Sequence, residues 1–597
     1  MNIIASRISD LRKEMKALNV QWYFATSDDF HGSEYVADYF KVREHYTGFT
    51  GENAFLIVND EAAYMWTDGR FFIQADIELK DTGVTLMKMG EPGVPSIKSF
   101  VKDRVAPGEK LLFDGRMVTT SLGKSLEQIV KANDAELVID NDIAGKLWTD
   151  RPNMPVSNLK IFDESVVGES VETKLTKIRN KMDENDCAYH FLGSLDDIAW
   201  ITNVRGNDVE CNPVFLSYLF VEKDNCVIFM EKEEVTDEIR TYFSNLGIVI
   251  KDYSEVLNFL NDYNYKGAVL LDESSVNFSC FKAISSKTDV VNKINPSKVY
   301  KACKNEVEIR NLREAYLQDS VCVTKFIYWL KNTIGKEELT EISVADYLDN
   351  LRRQVPGFLD LSFPTISGYG SNGAIVHYGA TKESNAVLKP EGMILVDSGG
   401  QYENGTTDVT RTISLGPVTD NMRLHYTKTA IGMLSLASAR FLYGCTGRNV
   451  DILSRAPLWN MGIDFKHGTG HGIGYILNVH EGPQNIRWKF VDGQIEYPLE
   501  AGMITSDEPG VYIEGEYGIR IENVILCVND KENEYGRFMK FDHLTFAPLD
   551  RELLDKAVMT KEEIDMINEY QALVFEKMKP FLSKEECNWL ENVTRPL

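Results

Sequence analysis

The sequence predicts a mixed α/β (α+β) chain of three domains: two smaller ones at 1–155 and 156–300, in which sheets and helices alternate, and a larger one at 301–597 built on antiparallel hairpins. Three observations carry this. A chain of 597 residues is too long for one hydrophobic core. The first 300 residues alternate strand-like with helical runs and are broken by the polar stretch TDRPNMPVSN, with Pro152 and Pro155. Beyond residue 301, glycine-turn hairpins dominate to about residue 528.

The elements follow in order. In MNIIASRISDLRKEMKALNV, Ile4, Ile8, Leu11, Met15 and Leu18 recur at helical spacing among charges, which makes an amphipathic helix and not the apolar run of a signal peptide. QWYFAT, NAFLIV and AAYMWT read as strands of the first domain; CAYHFLGS, NPVFLSYLFV and CVIFM read as strands of the second. WYFATSDDF and YHFLGSLDDIAW each set an aromatic strand before a serine and paired aspartates, a faint echo that fits duplication or coincidence. A long helix from about Lys301, with Val307, Leu312 and Ala315 on one face, opens the third domain. The tail TKEEIDMINEYQALVFEKMKPFL begins with a capping box, Thr560 and Glu563, and continues as an amphipathic helix.

A formal net charge of -26 repels phosphate backbones and anionic lipid heads, so neither a nucleic acid nor a membrane surface is an expected partner. No window reaches the roughly 18 apolar residues of a membrane span, and a cytoplasmic protein is expected. Nine cysteines without CxxC spacing read as reduced, packed thiols. An acidic chain suits bound cations.

MILVDSGGQYENGTTDVTRTISLG reads as a hairpin with Asp397 and Asp408 in its two arms. A tight turn at Asn404-Gly405 would separate the two aspartates by roughly 13 Å along the sheet. A four-residue loop, Gln401 to Asn404, would set them opposite, with Cβ atoms about 5 Å apart; that is the arrangement expected of a functional pair. Facing carboxylates need a proton or a cation between them, unless they are simply solvated on an exposed face. A second hairpin, MITSDEPGVYIEGEYGIRIENVILCV, carries Glu508 and Glu522 in opposite arms, with Glu522 beside the apolar Ile521 and Val524. Four carboxylates on two hairpins point to a metal site, and two divalent ions would balance their charge. Oxygen-rich ligation with one imidazole suits Mn²⁺ first, with Co²⁺, Fe²⁺ or Zn²⁺ as alternatives.

The imidazole comes from HGTGHGIGYILNVHEGP, residues 467–483, which holds three of the chain's nine histidines. His467 and His471 are four apart, but glycines at 468, 470, 472 and 474 rule out a stable helix, so the stretch reads as a loop offering one side chain to metal and others to substrate.

The set DSGGQYENGTTDVTRT, HGTGHGIGYILNVHEGP, SDEPGVY and GIRIEN resembles the pita-bread metallopeptidases, and within them the long Xaa-Pro aminopeptidases (aminopeptidase P). SEYVADYF, MWTDGRFFIQA, LDDIAWITNVRGNDVECNPVFLSY and HLTFAPLD extend the resemblance along the whole chain. It implies two creatinase-like N-terminal domains before a pita-bread catalytic domain with a helical extension. It implies two divalent metal ions held by Asp397, Asp408, His471, Glu508 and Glu522, with Asp408 and Glu522 bridging. The implied reaction is attack of a metal-bridging hydroxide on the bond between an N-terminal residue and a proline in second position. Glu508 would relay the proton, His377 and His480 would bind substrate and stabilise the tetrahedral intermediate, and His467 would line the proline pocket or merely prop the loop. Arg520, two residues before Glu522, would orient carboxylates or bind substrate; Arg205 would face the cleft. A homodimer is implied as well. Val511-Tyr512 stands where the family usually has two tyrosines after EPG. Two alternatives remain: a prolidase-like X-Pro dipeptidase with the same ligands, and a catalytically inactive peptide-binding relative.

Overall fold

The computed structural model describes residues 2–490 and 496–597. The chain forms two compact units, Met1–Glu164 with Glu169–Lys298, and Ser165–Gly168 with Val299–Leu597. The first opens with helix α1 (Ile3–Ala17), which buries Ile4, Ile8, Leu11 and Met15. Leu18 departs from the predicted stripe: it is the C-cap and is 38% exposed, because the helix ends one residue before it.

Two sheets of six strands, with helices between the strands, make up this unit. The first comprises β1 (Trp22–Thr26), β2 (Ala54–Val58), β3 (Ala63–Thr67), β4 (Val84–Lys88), β5 (Lys110–Leu112) and β6 (Glu136–Val138), in the order β4-β3-β2-β1-β5-β6. The second comprises β7 (Cys187–Leu192), β8 (Ser217–Glu222), β9 (Cys226–Met230), β10 (Ile248–Asp252), β11 (Ala268–Leu271) and β12 (Val290–Asn292), in the order β10-β9-β8-β7-β11-β12. In each sheet the second strand runs antiparallel to the first and third, and the other three pairings are parallel. The sequence echo falls on β1 and β7, the equivalent strands. Order, direction and echo together favour duplication over coincidence. His31, just past β1, is buried between the halves, within 2.7 Å of both the Gly193 carbonyl and the Tyr253 hydroxyl.

Past the helix that ends at Ala302, the second unit runs into helix α2 (Glu306–Thr333), whose N-cap Asn305 forms a capping box with Glu308. After a helix at Glu341–Arg353 and a short strand at Phe358–Leu361 come β13 (Ile366–Tyr369), β14 (Met393–Ser398), β15 (Gly400–Tyr402), β16 (Gly405–Thr406) and β17 (Val409–Ser414), then α3 (Asp420–Ala437), β18 (Arg440–Leu442) and α4 (Gly447–Trp459). The last strands are β19 (Gly470–Gly472), β20 (Glu481–Ile486), β21 (Ile504–Asp507), β22 (Gly510–Ile513), β23 (Tyr517–Arg520), β24 (Asn523–Asn533) and β25 (Gly536–His543), followed by α5 (Lys561–Met578) and α6 (Lys584–Thr594). β14 lies between β13 and β17, and a six-stranded sheet runs β18-β25-β24-β21-β19-β20.

The capping box of Thr560 and Glu563 opens α5, and Ile567, Val574 and Met578 pack with Met433 and Leu434 of α3 beneath Val511 and Ile519 of the second hairpin. Each such burial stabilises by about 1.5–3 kcal/mol relative to exposure, so the tail is part of the core. All nine cysteines are free thiols, six of them buried. Among the described residues no helix is long and apolar enough to cross a membrane.

Candidate metal centre

The first hairpin corrects the expected turn. Tyr402 pairs with Gly405 and Gln401 with Thr406, so the turn is Glu403-Asn404, two residues long; the loop is neither four residues nor centred on Asn404-Gly405. Gly405 serves instead as a contact: a Cβ there would lie 2.9 Å from Leu312 and 3.1 Å from Ala315 of α2. The same register continues in β14 and β17, where Asp397 pairs with Thr410 and Ser398 with Val409. Asp408 therefore falls opposite Gly399, in a break between ladders where a Cβ on Gly399 would meet the Thr407 carbonyl at 2.0 Å. The two aspartates are diagonal neighbours rather than an opposed pair, with Cβ atoms on the order of 7–8 Å apart.

The second hairpin breaks in the same way. Asp507 pairs with Asn523 and Gly510 with Arg520, which sets Glu508 opposite Glu522 in the gap between. Pro509 has no N–H to continue the ladder. The freed backbone groups reach outward: Glu522 N–H donates to the Thr410 carbonyl of the first hairpin (3.1 Å), and Glu508 N–H donates to the Thr469 carbonyl beside the histidines (2.8 Å). These two bonds draw both hairpins and the histidine stretch around one point.

His471 stands on β19, a short strand where a loop was expected. β19 is paired with both β20 and β21, which holds a glycine-rich segment extended against its weak intrinsic preference. Its N–H donates to Ser506 Oγ (3.0 Å), and Ser506 Oγ donates to Glu508 Oε1 (3.2 Å). The Nδ1 of His471 lies 2.9 Å from the Gly472 carbonyl, an acceptor only, so Nδ1 carries a proton. Nε2 then faces Asp408 Oδ2 at 3.4 Å and Glu508 Oε1 at 3.5 Å. Burial opposes a charged ring here, but the hydrogen bond and charge of Asp408 and the charge of Glu508 outweigh it and push the pKa up to about 9. Burial, then mutual repulsion, raises Asp408 and Glu508 above the usual carboxylate range and Glu522 well above it.

These are the marks of a cation site. Asp408, His471 and Glu522 each offer a ligand atom within 4.8 Å of the others. Asp397 is held through one oxygen, Oδ2, by Arg520 Nη2 (2.6 Å) and Nε (3.1 Å), while its buried Oδ1 has no hydrogen-bond partner. Thr410 Oγ1 donates to Glu522 Oε2 at 2.8 Å. Four carboxylates, one imidazole nitrogen and an orphaned carboxylate oxygen fit hard or borderline divalent ions.

A further chain runs from Asp397 to His467. Arg520 Nη1 donates to the Tyr512 hydroxyl (2.8 Å), which donates to His467 Nε2 (2.8 Å), while His467 Nδ1 donates to the Gly468 carbonyl (2.7 Å). Burial and the Arg520 cation drive His467 well below its ordinary pKa, so the ring is neutral. It packs against Phe465 and edge-on to Tyr512, ring centroids 4.8 and 5.4 Å away. His480 meets His471 edge-to-face at 4.3 Å. His377 is half-buried, and the carbonyl of the preceding Val376 accepts from Arg520 Nη2 at 3.3 Å. Arg205 is buried in the first unit, donating to the carbonyls of Ala199 and Val204. Sequence reasoning missed Thr410, Ser506 and Arg411; only the two-residue step from Asp408 to Thr410 along one arm of the hairpin was available as a signal.

Residues 7–142 and 150–308 match models of the creatinase/prolidase N-terminal domain, 310–529 the metallopeptidase family M24, and 537–597 the C-terminal region of peptidase M24. Aminopeptidase P2 of Arabidopsis thaliana is 35% identical over 635 residues, covering 100% of this chain and 89% of its own. Xaa-Pro aminopeptidase 1 of Dictyostelium discoideum is 34% identical, covering 100% and 97%. A crystal structure of X-prolyl aminopeptidase from Caenorhabditis elegans, described as a cytosolic enzyme with a di-nuclear active site, matches with a TM-score of 0.95 at 31% identity over 100% of both chains. Xaa-Pro dipeptidase from Bacillus anthracis shares the fold at a TM-score of 0.51 and 22% identity, over 64% of this chain and 99% of its own. The architecture is thus two creatinase-type domains followed by a pita-bread domain, and the chain belongs to metallopeptidase family M24, in the aminopeptidase P branch that it matches from end to end.

Proposed function

We propose that the protein is a metal-dependent aminopeptidase that removes the N-terminal residue from peptides with proline in second position. The observation that carries this is the convergence of Asp408, Glu508 and Glu522, at the breaks of two hairpins, with His471 of β19 and Asp397 of the first hairpin beside them, in a chain related over its full length to Xaa-Pro aminopeptidases. Asp397, Asp408, His471, Glu508 and Glu522 would hold two divalent ions, Mn²⁺ first and Co²⁺ or Zn²⁺ as alternatives. Bound there, the ions supply Lewis acidity to a water and to the scissile carbonyl.

The protein's own groups do the rest. Glu508, whose proton affinity burial raises, accepts the water's proton and passes it to the leaving imide nitrogen. His480 donates to the oxygen on which charge develops, and His377 does so from the other side of the substrate. An X-Pro bond is a tertiary amide without an N–H, so selectivity has to come from packing the ring. His467, held neutral and flanked by Phe465 and Tyr512, offers such a surface without adding charge.

Metal-stripped protein is expected to release arginine from Arg-Pro-Pro only after Mn²⁺ is restored, and to cleave Arg-Pro-Pro at least as fast as the dipeptide Arg-Pro. Faster cleavage of the dipeptide would move the assignment to a prolidase. No arginine with Mn²⁺, Co²⁺ or Zn²⁺ would leave an inactive peptide-binding relative.

The same proposal places the enzyme in the cytoplasm as a homodimer, with peptides as its substrates. Exposed Trp459, Trp488 and Phe490 support an interface on the second unit, with Trp459 and Trp488 edge-to-face at 5.7 Å. Sedimentation equilibrium at micromolar concentration should give twice the chain's 67.7 kDa; a single-chain mass would discard the dimer.

A further inference from the structure

The chain between His471 and His480 is fastened at its base by one buried cation. Lys304, the residue before the N-cap of α2, is 4% exposed. Its Nζ donates to the Ile473 carbonyl at 2.7 Å and pairs with the Glu481 carboxylate, so it grips both flanks of the loop at once. Lys301 Nζ lies 3.4 Å from the other Glu481 oxygen, and all three side chains are buried. Glu481 directly follows His480, and its backbone pairs with Gly472, the residue after His471. One ladder step therefore separates the ion pair from both histidines.

The loop between is held in a costly shape. Ile476, β-branched, has φ +50, a left-handed conformation that costs on the order of 1–3 kcal/mol and persists only where the surroundings impose it. At the tip, the Leu477 carbonyl accepts from Gln401 Nε2 (2.8 Å), and Leu477 N–H donates to Thr406 Oγ1 (3.3 Å), both on the first hairpin. A buried ion pair is weak evidence for stability, since apolar side chains of similar volume often do as well. Its placement at the base of a strained loop that ends on His480 gives it another use.

We infer that Lys304 and Glu481 are positioning residues for His480, fixing the backbone at 473 and 481 so that the imidazole is presented beside His471 toward the substrate oxygen. The inference rests on the peptidase reading above. A displacement of about 1 Å in such a group costs about 10²-fold in rate.

The test is a double-mutant cycle between Lys301→Met/Lys304→Met/Glu481→Leu, the pair variant, which removes the buried charge cluster together, and His480→Ala, with the combined variant. The pair variant should bind Mn²⁺ by calorimetry within about threefold of the parent, with kcat on Arg-Pro-Pro about 10²-fold lower. In the His480→Ala background the same change should cost less than about threefold further, since groups acting through one another do not add. Unchanged kcat in the pair variant, unchanged kcat in His480→Ala, or losses that multiply in the combined variant would overturn the inference. Histidine-selective NMR labelling provides a readout free of activity: the His480 ring resonances should shift in the pair variant while those of His425 stay put, and an unmoved His480 would overturn it too. If the parent itself hydrolyses no X-Pro peptide, the peptidase reading fails, and the NMR result still decides whether the pair positions His480. Lys304→Met alone, which releases Ile473 and leaves Glu481 beside Lys301, carries the same predictions should the apolar variant fail to fold.

Discussion

Asp408→Asn is expected to abolish Arg-Pro-Pro hydrolysis, by at least about 10³-fold, the several kcal/mol a polarising metal supplies, and at the same time to make the metal-stripped protein harder to melt at pH 8.5. The two effects have one cause. Asp408, Glu508 and Glu522 converge in a buried site and hold their protons above the ordinary carboxylate range, through burial first and one another's charge second. A group so raised contributes stability that is fully present below its unfolded pKa and is lost as pH rises through the folded one. His471, raised to about 9, has the same sign. The metal-stripped parent therefore weakens as pH climbs from the carboxylate range toward 9, and Asp408→Asn removes part of that slope. Divalent ions compete with those protons, so the rise in Tm on adding Mn²⁺ should grow from pH 6 to pH 8.5 in the parent and stay small in the variant. Calorimetry at the two pH values, with and without Mn²⁺, checks both halves. A variant that keeps its activity, or whose metal-free form melts below the parent at pH 8.5, would remove Asp408 from the centre of the site.

Much of this was legible in the sequence because single-element periodicity and local capping chemistry decide it. The buried stripe of α1, the strands of both N-terminal sheets and the capping box of Thr560 and Glu563 are local facts with local causes. The turn of the first hairpin was not, for a physical reason. Asn404-Gly405 is a strong turn signal, yet Gly405 is spent on close contact with Leu312 and Ala315 of α2, so the turn moves one residue upstream. That shift changes Asp397 and Asp408 from an expected facing pair to a diagonal one. Glu508 and Glu522 were correctly set in opposite arms, but the break that frees their backbone groups follows from Pro509 and from partners far along the chain, Thr410 and Thr469. The ion pair of Arg520 with Asp397 joins residues 123 apart, beyond the reach of any pattern of spacing.

Arg411 is the largest such omission, and Arg411→Lys is expected to cost about 3–5 kcal/mol. Arg411 is 2% exposed and its acceptors come from four separate segments. Nη1 donates to the carbonyls of Thr410 (2.8 Å) and Glu522 (2.6 Å). Nη2 donates to Asn523 Oδ1 (2.7 Å), the Ala547 carbonyl (2.8 Å) and the Tyr570 hydroxyl on α5 (2.9 Å), and Nε donates to the Pro548 carbonyl (3.2 Å). One guanidinium thus joins the first hairpin to the second at the backbone of Glu522 and ties both to the tail. A lysine keeps the charge but has three donors on a single nitrogen and cannot reproduce the fork, so several buried carbonyls lose their partners at about 1–3 kcal/mol each. Tyr570→Phe, which loses one hydroxyl, should cost only about 1 kcal/mol. The lysine variant should melt roughly 5–8 °C below the parent and bind Mn²⁺ more weakly, since Glu522 is no longer held against Thr410, with hydrolysis partly restored at saturating metal. A lysine variant as stable as the parent would mean that the hairpin interface of the second unit holds Glu522 in place without Arg411.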